Sequence, residues 1–529
     1  MKLNAIAISA PAWISRPQDG TALNSSDPAS LFNACRYAGL LAQESVGAWG
    51  QSNWHPDAGP IRRNFLLLNS LDDMSEFVKL LLRERPNLLL IGSMTLCMPG
   101  AIACAAVARA LLGDRLVIVL GGRHPTETIY VPNRHPWQDS EVQQHPGSPL
   151  GLMASGRIPR VFDLVVSGDG EHIIAAIGEA IAVNSASGRF KIDALIHDLN
   201  ITIPGKWIIG WLDGEAMRVR ASASIPIDYT DMPSIARVFG VSAAFDVFPG
   251  CMTAHVFCDI GRGCVYDCTF CSERNSVTDG LRDPHGAARR LYRHMREASE
   301  AIKREHPNKK ASAFIEDSVL LGGIPNQIDQ FISLLQHQPI DIIFGAQLTI
   351  DHILSQRVQL ERLSTVGLRY LFIGIETLEP EDIGGMSKDL RKGQRNWQER
   401  LREALNILDS VNIKCGAAVL FGLGEPHKNR VRLLEILSKL QEETGHPDPI
   451  SANWAVQHPL RGQDGGANYD YVDWGCPEGP FLHYFQQFGE ASVLYPLHYV
   501  EPPKIEEVRE VSKILRNNFV ASQSFPKAS

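Results

Sequence analysis

Short apolar runs alternate with amphipathic segments over residues 1–200 of the chain. Runs with the length and continuity of buried strands are "LNAIAIS", "NLLLIGS", "LVIVLGG" and "FDLVVSG". Between them, apolar residues recur at helical spacing in "MSEFVKLLLRER", "GAIACAAVARALLG" and "EHIIAAIGEAI". Continuous apolar strands separated by helices are typical of a parallel sheet that is covered on both faces. The pattern therefore predicts an α/β domain over residues 1–200.

Three of these predicted strands run into loops of small residues. The loops are "GSMT" at 92–95, "GGRHPT" at 121–126 and "SGDGE" at 167–171. Ligands of parallel α/β sheets bind beyond the carboxyl ends of the strands, and small residues let a ligand approach the backbone there. Glycine also makes tight turns where no ligand binds, and for each single loop this alternative stays open. Three such loops in succession favour a binding edge.

A second series of strands and helices follows a connector at 201–250, which contains a predicted hairpin, "KWIIGWLDGEAMRVR". After a strand that precedes residue 261, the predicted strands are "ASAFIEDSVL", "DIIFGAQL", "GLRYLFIGIET", "KCGAAVLFGLGEP" and "ISANWAVQHPL". With the helices between them they make about six βα units over residues 251–460, which predicts a partial (β/α)6 barrel of the TIM type. Residues 461–529 form a small α-rich C-terminal region with a helix at "KIEEVREVSKILRNNF".

Length and charge narrow the class of protein. The 529 residues exceed the roughly 250–300 at which a single core stops growing, so more than one domain is expected. With 44% hydrophobic and 21% charged residues, the composition is that of a soluble globular protein. The formal net charge of −8 and the lack of a basic tract argue against nucleic acid and against an anionic membrane surface as partners.

An uncharged stretch at 87–107 has nearly the length of a membrane-spanning helix. Gly92 and Pro99 interrupt it, so we predict a buried strand, a turn and an alanine-rich helix instead. The N-terminal "MKLNAIAISAPAW" favours a first strand over a signal peptide. We therefore expect a cytoplasmic protein without a membrane-spanning segment.

Three of the ten cysteines lie close together in "GRGCVYDCTFCSE" at 261–273, as Cys264, Cys268 and Cys271. Tetrahedral zinc needs a fourth ligand, which Cys251 or Cys258 could supply, and a disulfide cannot pair all three. An iron–sulfur cluster that is held by three cysteines and leaves one iron open fits both the number and the single loop. Zinc and a disulfide remain alternatives at this point.

The spacing Cys-x3-Cys-x2-Cys, with aromatic Phe270 before the last cysteine, resembles the signature loop of radical S-adenosylmethionine (radical SAM) enzymes. The resemblance extends over about residues 250–460. It implies that the three cysteines bind a 4Fe-4S cluster whose open iron is chelated by S-adenosylmethionine. An electron from the cluster then cleaves the C–S bond and gives a 5′-deoxyadenosyl radical.

The resemblance also assigns residues to the S-adenosylmethionine site. Glu316 ends the second barrel strand, and Gly374 and Glu376 lie in a "GIET" segment that resembles the family's motif near the methionine and the ribose. Phe270 is expected near the adenine. The segment "GAAVLFGLGEP" departs from the family's commonest "GLP" pattern by one residue, which leaves the role of Glu425 open. Helix capping is the alternative for such strand-end carboxylates, and for Glu273 a solvated loop position is favoured.

The N-terminal half resembles the Rossmann-like cobalamin-binding domain that precedes the barrel in one large radical SAM subgroup. The resemblance implies that the three strand-end loops approach cobalamin, mostly through the backbone, with Ser93, Thr95, Gly121, Gly122, Gly168 and Glu171. The Asp-x-His-x-x-Gly motif that supplies a lower histidine ligand is absent, and His124 follows the wrong strand to replace it. We therefore expect base-off cobalamin without a histidine ligand, and a vestigial domain that binds no corrin remains the alternative.

Together the two resemblances imply a class B methyltransferase that acts on an unactivated carbon or phosphorus of a small-molecule or peptide substrate. The alternatives are a non-methylating radical reaction, such as rearrangement, cyclisation or dehydrogenation, and a sensor without catalysis. An electron donor such as flavodoxin or ferredoxin is the expected partner. Aromatic residues and His458 in "NWAVQHPLRG" and "YDYVDWG" are candidates for substrate contact or for core and lid packing, and they do not identify the substrate.

Overall fold

The computed structural model of the protein describes most of both predicted α/β regions. The described residues are 4–10, 65–67, 74–132, 138–184, 192–197, 199–227, 234, 236–237, 241, 244–258, 264–271, 273–274, 285–377, 397–456, 493, 497 and 500–519. They fall into two compact units. One contains the described residues up to 237, and the other contains those from 241 onward.

Seven strands form the sheet of the first unit within the described residues. They are β1 (Ala5–Ser9), β2 (Phe65–Leu67), β3 (Leu88–Gly92), β4 (Val117–Gly121), β7 (Leu164–Gly168), β8 (Trp207–Asp213) and β9 (Ala216–Ala221), while β5 (Ile129–Tyr130) and β6 (Gln143–Gln144) pair separately. The order is β2-β1-β3-β4-β7-β8-β9. The first five strands are parallel, and β8 and β9 are antiparallel. The predicted hairpin thus extends the edge of this sheet, which its sequence did not indicate.

Helices cover both faces of this sheet. They are α1 (Met74–Glu84), α2 (Met98–Leu112), α3 (Arg123–Thr128), α4 (Pro149–Ala154), α5 (Glu171–Asn184) and α6 (Ile192–His197). Alternate residues of β3, such as Leu88 and Leu90, pack in one core cluster with Ile173 and Ile177 of α5. The intervening Leu89 and Ile91 are also buried. Burial on both faces explains why the strands read as continuous apolar runs.

The uncharged stretch at 87–107 is divided as the sequence predicts. It forms β3, a short 3₁₀ turn at Thr95–Cys97 and the start of α2, which has Pro99 in its first turn. Helix α2 ends at Leu112, and Gly113 is its C-cap. Among the helices that the structure describes, none is long and apolar enough to cross a membrane.

The second unit contains a parallel sheet whose strands follow one another in chain order. Its strands are β10 (Cys251–Val256), β11 (Lys310–Ile315), β12 (Ile343–Gln347), β13 (Leu368–Glu376), β14 (Lys414–Phe421) and β15 (Ile450–Trp454). Its helices are α7 (Ala287–Glu305), α8 (Pro325–His337), α9 (Ile350–Ser355), α10 (Arg357–Thr365), α11 (Trp397–Ser410), α12 (His427–Thr444) and α13 (Ile505–Phe519). The sheet curls into a half-barrel, so the predicted α/β class with a partial barrel is confirmed.

The two faces of the half-barrel have different chemistry. The face toward the helices is apolar, as the edge contact of Phe344 on β12 with Phe331 on α8 illustrates, with ring centroids 5.9 Å apart. On the interior face, an aromatic cluster packs around Cys251 near the amino-terminal end of β10. The cluster contains Phe245, Phe248, Phe314, Tyr370 and Phe372. The interior face is therefore lined largely by aromatic rings toward the amino-terminal ends of the strands.

Candidate functional site

The cysteine loop lies at the carboxyl ends of β14 and β15. Cys268 is buried in a small apolar cluster with Leu423, which follows β14, and Ala455, which follows β15. Phe270 and Tyr266 pack against the same cluster. The loop is closed by its own backbone, since the Cys264 N–H donates to the Glu273 carbonyl at 2.5 Å and the Cys271 N–H to the Cys268 carbonyl at 3.1 Å. Glu273 therefore contributes to the loop through its backbone.

The surroundings of the Cys271 thiol disfavour its anionic form unless a cation is bound. The pKa of the Cys271 thiol is raised to about 12, chiefly by burial and in smaller part by the charges of Glu273, Cys264 and Cys268. The Glu273 N–H, which donates to Cys271 Sγ at 3.4 Å, partly offsets this effect. Three thiolates this close together need a positively charged partner to remain deprotonated, and bound iron supplies that charge.

The two alternatives for the trio lose support in the structure. No disulfide joins any of the eight cysteines that it describes. Cys251 lies in the aromatic cluster at the other end of its strand, so it cannot complete a zinc site with the trio. Across the described ranges, no three His, Cys, Asp or Glu side chains converge where a single metal ion could sit. In an iron–sulfur cluster each cysteine binds a different iron, so the thiolates do not have to converge on one point.

A hydrogen-bonded chain ties the cysteine loop to the start of α9. The Tyr266 hydroxyl lies 3.3 Å from Thr349 Oγ1, and Thr349 Oγ1 lies 2.8 Å from His352 Nδ1. Thr349 is also the N-cap of α9. Burial lowers the pKa of His352, so its imidazole remains neutral near pH 7 and is able to accept the threonine hydroxyl hydrogen.

Three polar side chains lie on adjacent strands of the barrel interior. His255 Nδ1 on β10 is 2.5 Å from the Glu316 carboxylate, which directly follows β11. Gln347 at the end of β12 points its amide nitrogen at the Glu316 carbonyl, at 3.4 Å. The neighbouring Asp317 has a backbone-capping role, because its carboxylate accepts the Cys258 N–H at 2.7 Å. Glu316 was expected from the sequence, whereas His255 and Gln347 were not.

Glu376, at the end of β13, has a strained backbone. Its φ of +58° lies in the left-handed region, which residues with a side chain rarely adopt. The pairing of β13 with β14 shifts register between Gly374 and Glu376, and the Thr377 N–H donates to the Ile375 carbonyl at 2.7 Å. Such outliers concentrate at functional sites, where the surrounding structure holds them in place. The strain therefore agrees with the expected binding role of this segment.

Glu425 holds a loop in place. Its carboxylate accepts the Gly422 N–H at 2.7 Å and the Leu423 N–H at 2.8 Å, and it pairs with Arg430 at 2.5 Å. The whole group is buried. Glu425, the residue before Pro426, thus holds the loop that follows β14 in place, and its carboxylate is fully engaged there.

The strand-end loops of the first unit are joined to one another mainly through their backbones. The Ser93 N–H donates to the Gly121 carbonyl at 2.9 Å, and the His124 N–H donates to the Ser93 carbonyl at 3.0 Å. Gly122 has a φ of +97°, and a Cβ there would lie 2.6 Å from the Ser93 nitrogen. Gly168 has a φ of +80°, and its Cβ would lie 2.1 Å from the Lys206 carbonyl oxygen. Both glycines are required by the fold itself.

The side chains of these loops are also in contact with one another. Thr95 Oγ1 lies 3.1 Å from His124 Nδ1, and His124 Nε2 lies 3.2 Å from the Gly147 carbonyl. His124 is fully buried, and these two contacts engage both of its ring nitrogens inside the unit. Glu171, the first residue of α5, is also fully buried. Gly121 is different, since a Cβ there would meet nothing closer than 3.8 Å.

Residues 259–437 match the family model described as the Radical SAM superfamily. The chain contains a radical SAM domain. Such a domain implies an enzyme that uses a 4Fe-4S cluster and S-adenosylmethionine. The match includes the cysteine loop and the strands β11 to β14.

Solved structures with a similar fold include the cobalamin-dependent S-adenosylmethionine radical enzyme OxsB, at 12% identity and a TM-score of 0.50. The match covers 97% of this chain and 61% of OxsB, so the chain spans about three fifths of that protein. The methyltransferase TsrM from Kitasatospora setae is 13% identical, with a TM-score of 0.49 and coverage of 86% of this chain and 72% of TsrM. No curated protein sequence matches the chain. At these identities, the likeness to OxsB establishes the fold alone.

The radical SAM domain brings its expected site residues to one edge of its sheet. Glu316 directly follows β11, Glu376 is the last residue of β13, and Gly374 lies near the end of the same strand. The loop with Phe270 lies at the ends of β14 and β15. The expected cobalamin residues Ser93, Thr95, Gly121, Gly122, Gly168 and Glu171 lie at the carboxyl ends of β3, β4 and β7 in the first unit. His458 and the segment "YDYVDWG" lie outside the described residues. Tyr266 was missed, although its position between two cysteines could have indicated a role in the loop.

Proposed function

We propose that the protein is a cobalamin-dependent radical SAM enzyme that transfers a methyl group to an unactivated carbon or phosphorus of a small-molecule or peptide substrate. The observation that carries the proposal is the loop with Cys264, Cys268 and Cys271 at the carboxyl edge of a half-barrel, the edge at which the strained Glu376 also lies. We propose residues 1–200 as the cobalamin-binding domain, 201–250 as a connector, 251–460 as the barrel and 461–529 as a C-terminal region.

The proposed roles follow from the positions of the residues. Cys264, Cys268 and Cys271 hold the cluster, and Phe270 packs beside it against the adenine. Glu316, Gly374 and Glu376 line the S-adenosylmethionine site along the interior edge. When bound, the cluster and S-adenosylmethionine supply a 5′-deoxyadenosyl radical, and cobalamin supplies the methyl group. The residues of the chain position these groups and keep water away from them.

Two observations support cobalamin. The likeness in fold to OxsB covers 97% of the chain, and the OxsB structure contains aqua-cobalamin and S-adenosylmethionine. Gly121 also has no side chain at the carboxyl end of β4, at the edge where ligands of parallel α/β sheets bind. His124 is held inside the unit by Thr95 and Gly147, so it is not free to ligate cobalt, which agrees with base-off cobalamin. We propose a flavodoxin or ferredoxin as the electron donor.

A non-methylating radical SAM reaction is the second candidate. It is favoured by the glycines at 122 and 168, which the packing of the first unit requires even when no corrin is present. It is also favoured by Thr95, whose hydroxyl is engaged with His124. In this case the first unit supports the barrel and binds no corrin.

The radical SAM activity is tested by the formation of 5′-deoxyadenosine on protein reconstituted anaerobically with iron and sulfide and reduced with dithionite. Cys268→Ala should lose the cluster iron and form no 5′-deoxyadenosine, because two thiolates do not retain the cluster. Cys415→Ala changes a fully buried cysteine on β14 that lies outside the loop, and it should retain both properties. Equal iron content in wild type and Cys268→Ala would refute the assignment of the cluster.

A further inference from the structure

His255 differs from the other buried histidine that the structure describes in the second unit, His294, whose two ring nitrogens both have partners. The His255 side chain is 4% exposed on the interior face of β10. Its Nδ1 is bonded to Glu316, and its ring packs edge-on against Phe245, with centroids 5.2 Å apart. Its Nε2 has no hydrogen-bond partner among the described residues. Most buried polar atoms have a hydrogen-bond partner, as both ring nitrogens of His124 have.

The register of the sheet places His255 with the expected site residues. Parallel pairing puts His255 beside Phe314 and Thr253 beside Ser312, so all four side chains share the interior face. His255 lies above the aromatic cluster and next to Glu316, toward the carboxyl edge. The unpartnered nitrogen therefore lies within the part of the barrel to which the S-adenosylmethionine residues were assigned.

The Glu316 partner fixes which nitrogen carries the proton. An ionised carboxylate only accepts hydrogen bonds, so Nδ1 carries the hydrogen that Glu316 accepts. In the neutral imidazole, Nε2 then has a lone pair and is an acceptor. The partner of a neutral imidazole at Nε2 is therefore an N–H or O–H donor. S-adenosylmethionine presents such donors at its ammonium group, its ribose hydroxyls and its adenine amino group.

We propose that His255 is a binding residue for S-adenosylmethionine, with Nε2 accepting a hydrogen bond from an N–H or O–H group of the cofactor. Glu316 is the residue that positions the imidazole for this contact. The inference rests on the proposed radical SAM function, and it assigns to β10 a contact that the sequence did not indicate.

Two substitutions separate binding from a structural role, because they keep different polar atoms of the imidazole. His255→Gln places an amide atom near the position of Nε2, and His255→Asn places one near the position of Nδ1. The measurement is the dissociation constant of S-adenosylmethionine on anaerobically reconstituted protein, by equilibrium dialysis and by the change in the electron paramagnetic resonance spectrum of the reduced cluster. The proposal predicts that this dissociation constant increases about tenfold in His255→Asn and by a smaller factor in His255→Gln.

The reverse order, with His255→Asn binding like wild type and His255→Gln weakened, would show that His255 only holds Glu316, and the proposal would be wrong. It would also be wrong if both variants bound within twofold of wild type. Iron content and melting temperature identify a variant that fails to fold. In that case His255→Phe, which retains the ring volume, is measured in place of that variant. It should bind S-adenosylmethionine as weakly as is predicted for His255→Asn. Wild-type protein that holds a cluster but binds no S-adenosylmethionine would refute the proposed function itself.

Discussion

Glu376 combines a strained backbone with a position at the carboxyl edge of the barrel. A left-handed conformation costs a residue with a side chain about 1–2 kcal/mol, whereas glycine adopts it without strain. The surrounding strand pairing shifts register to accommodate Glu376. A carboxylate held at such a cost is expected to contact a ligand.

Replacing Glu376 with glycine should therefore separate stability from binding. The relief of strain offsets the extra freedom of glycine in the unfolded chain, so the free energy of unfolding should change by less than about 1 kcal/mol. The dissociation constant of S-adenosylmethionine should rise about tenfold, because a carboxylate contact is lost. Thermal unfolding and equilibrium dialysis measure the two quantities.

Asn412→Gly is the matched control for this prediction. Asn412 also has a positive φ, of +56°. It lies in the turn before β14, at the amino-terminal edge of the sheet, whereas Glu376 lies at the carboxyl edge. Its substitution should leave the binding of S-adenosylmethionine unchanged. Wild-type affinity in Glu376→Gly would contradict the binding role of this residue.

Single residues were predicted from the sequence only where a motif marks them. The cysteine spacing identified Cys264, Cys268 and Cys271 because their chemistry is carried by adjacent positions in one loop. His255 and Tyr266 depend on partners 61 and 83 positions away, Glu316 and Thr349. Such pairs follow from strand register and loop packing, which no local pattern encodes.

Among the elements, the cysteine loop is attached to the barrel through Tyr266. Its hydroxyl contacts Thr349 at the start of α9, and the loop also packs through apolar contacts at the ends of β14 and β15. Contacts in the outer shell of a metal site orient its ligands and tune the site. Tyr266 should therefore affect how firmly the loop retains its cluster.

Tyr266→Phe should increase the rate at which an iron chelator removes the cluster by several-fold, because the hydroxyl tether is lost while ring packing remains. The loss of iron from reconstituted protein over time measures this rate. Tyr292→Phe on α7 also removes a hydroxyl hydrogen bond, to the Gln338 carbonyl, but outside the loop. If both variants lose iron at the same rate as wild type, the tether has no influence on the cluster.

Helix α13 is attached to α12 through charged groups. Arg430 donates to Glu507 at 3.0 Å, and His427 Nε2 lies 3.1 Å from Glu510. Burial would raise the pKa of Glu507, but the Lys504 N–H, Arg430 and His427 outweigh it, so its pKa lies below the ordinary value of 4.5. A depressed carboxyl pKa stabilises the folded state at neutral pH, and this contribution is lost as the pH falls through the folded pKa.

Glu507→Gln should lower the free energy of unfolding at pH 7 by less than about 1 kcal/mol, as for other partly exposed ion pairs. The difference from wild type should vanish below the depressed pKa of Glu507, where the wild-type carboxyl is protonated. Glu506→Gln changes the exposed neighbouring carboxylate and should have no effect at either pH. A difference in the free energy of unfolding that persists in acid would show that packing, and not the charge of Glu507, causes the effect.

Most elements of both units were predicted because their hydrophobic periods are clear. The runs at β3, β4 and β7 are buried on both faces, and the βα alternation after residue 285 predicted the barrel strands β11 to β15. The antiparallel addition of β8 and β9 to the first sheet was missed, because a hairpin sequence fixes its own pairing and leaves its neighbour undetermined. The residue before Pro426 was left unassigned, and its role followed only from the buried contacts of Glu425.

For the whole molecule, the central claim is that one chain binds both a radical SAM cluster and a corrin. The first unit supplies the strand-end loops with Ser93, Gly121 and Gly168, and the second unit supplies the cysteine loop. Gly121 offers the sharpest test of the first of these sites, because alanine fits the fold there without a close contact. A ligand that approaches this backbone would be displaced by the added methyl group.

The most direct measurement is the amount of corrin that the full-length protein retains after anaerobic reconstitution with iron, sulfide and hydroxocobalamin and subsequent desalting. The proposed function predicts about one corrin per chain in wild type. Gly121→Ala should retain clearly less corrin, with an unchanged melting temperature before reconstitution and unchanged cluster iron. A wild-type protein that holds its cluster, forms 5′-deoxyadenosine and retains no corrin would contradict the two-cofactor claim and favour the non-methylating reaction.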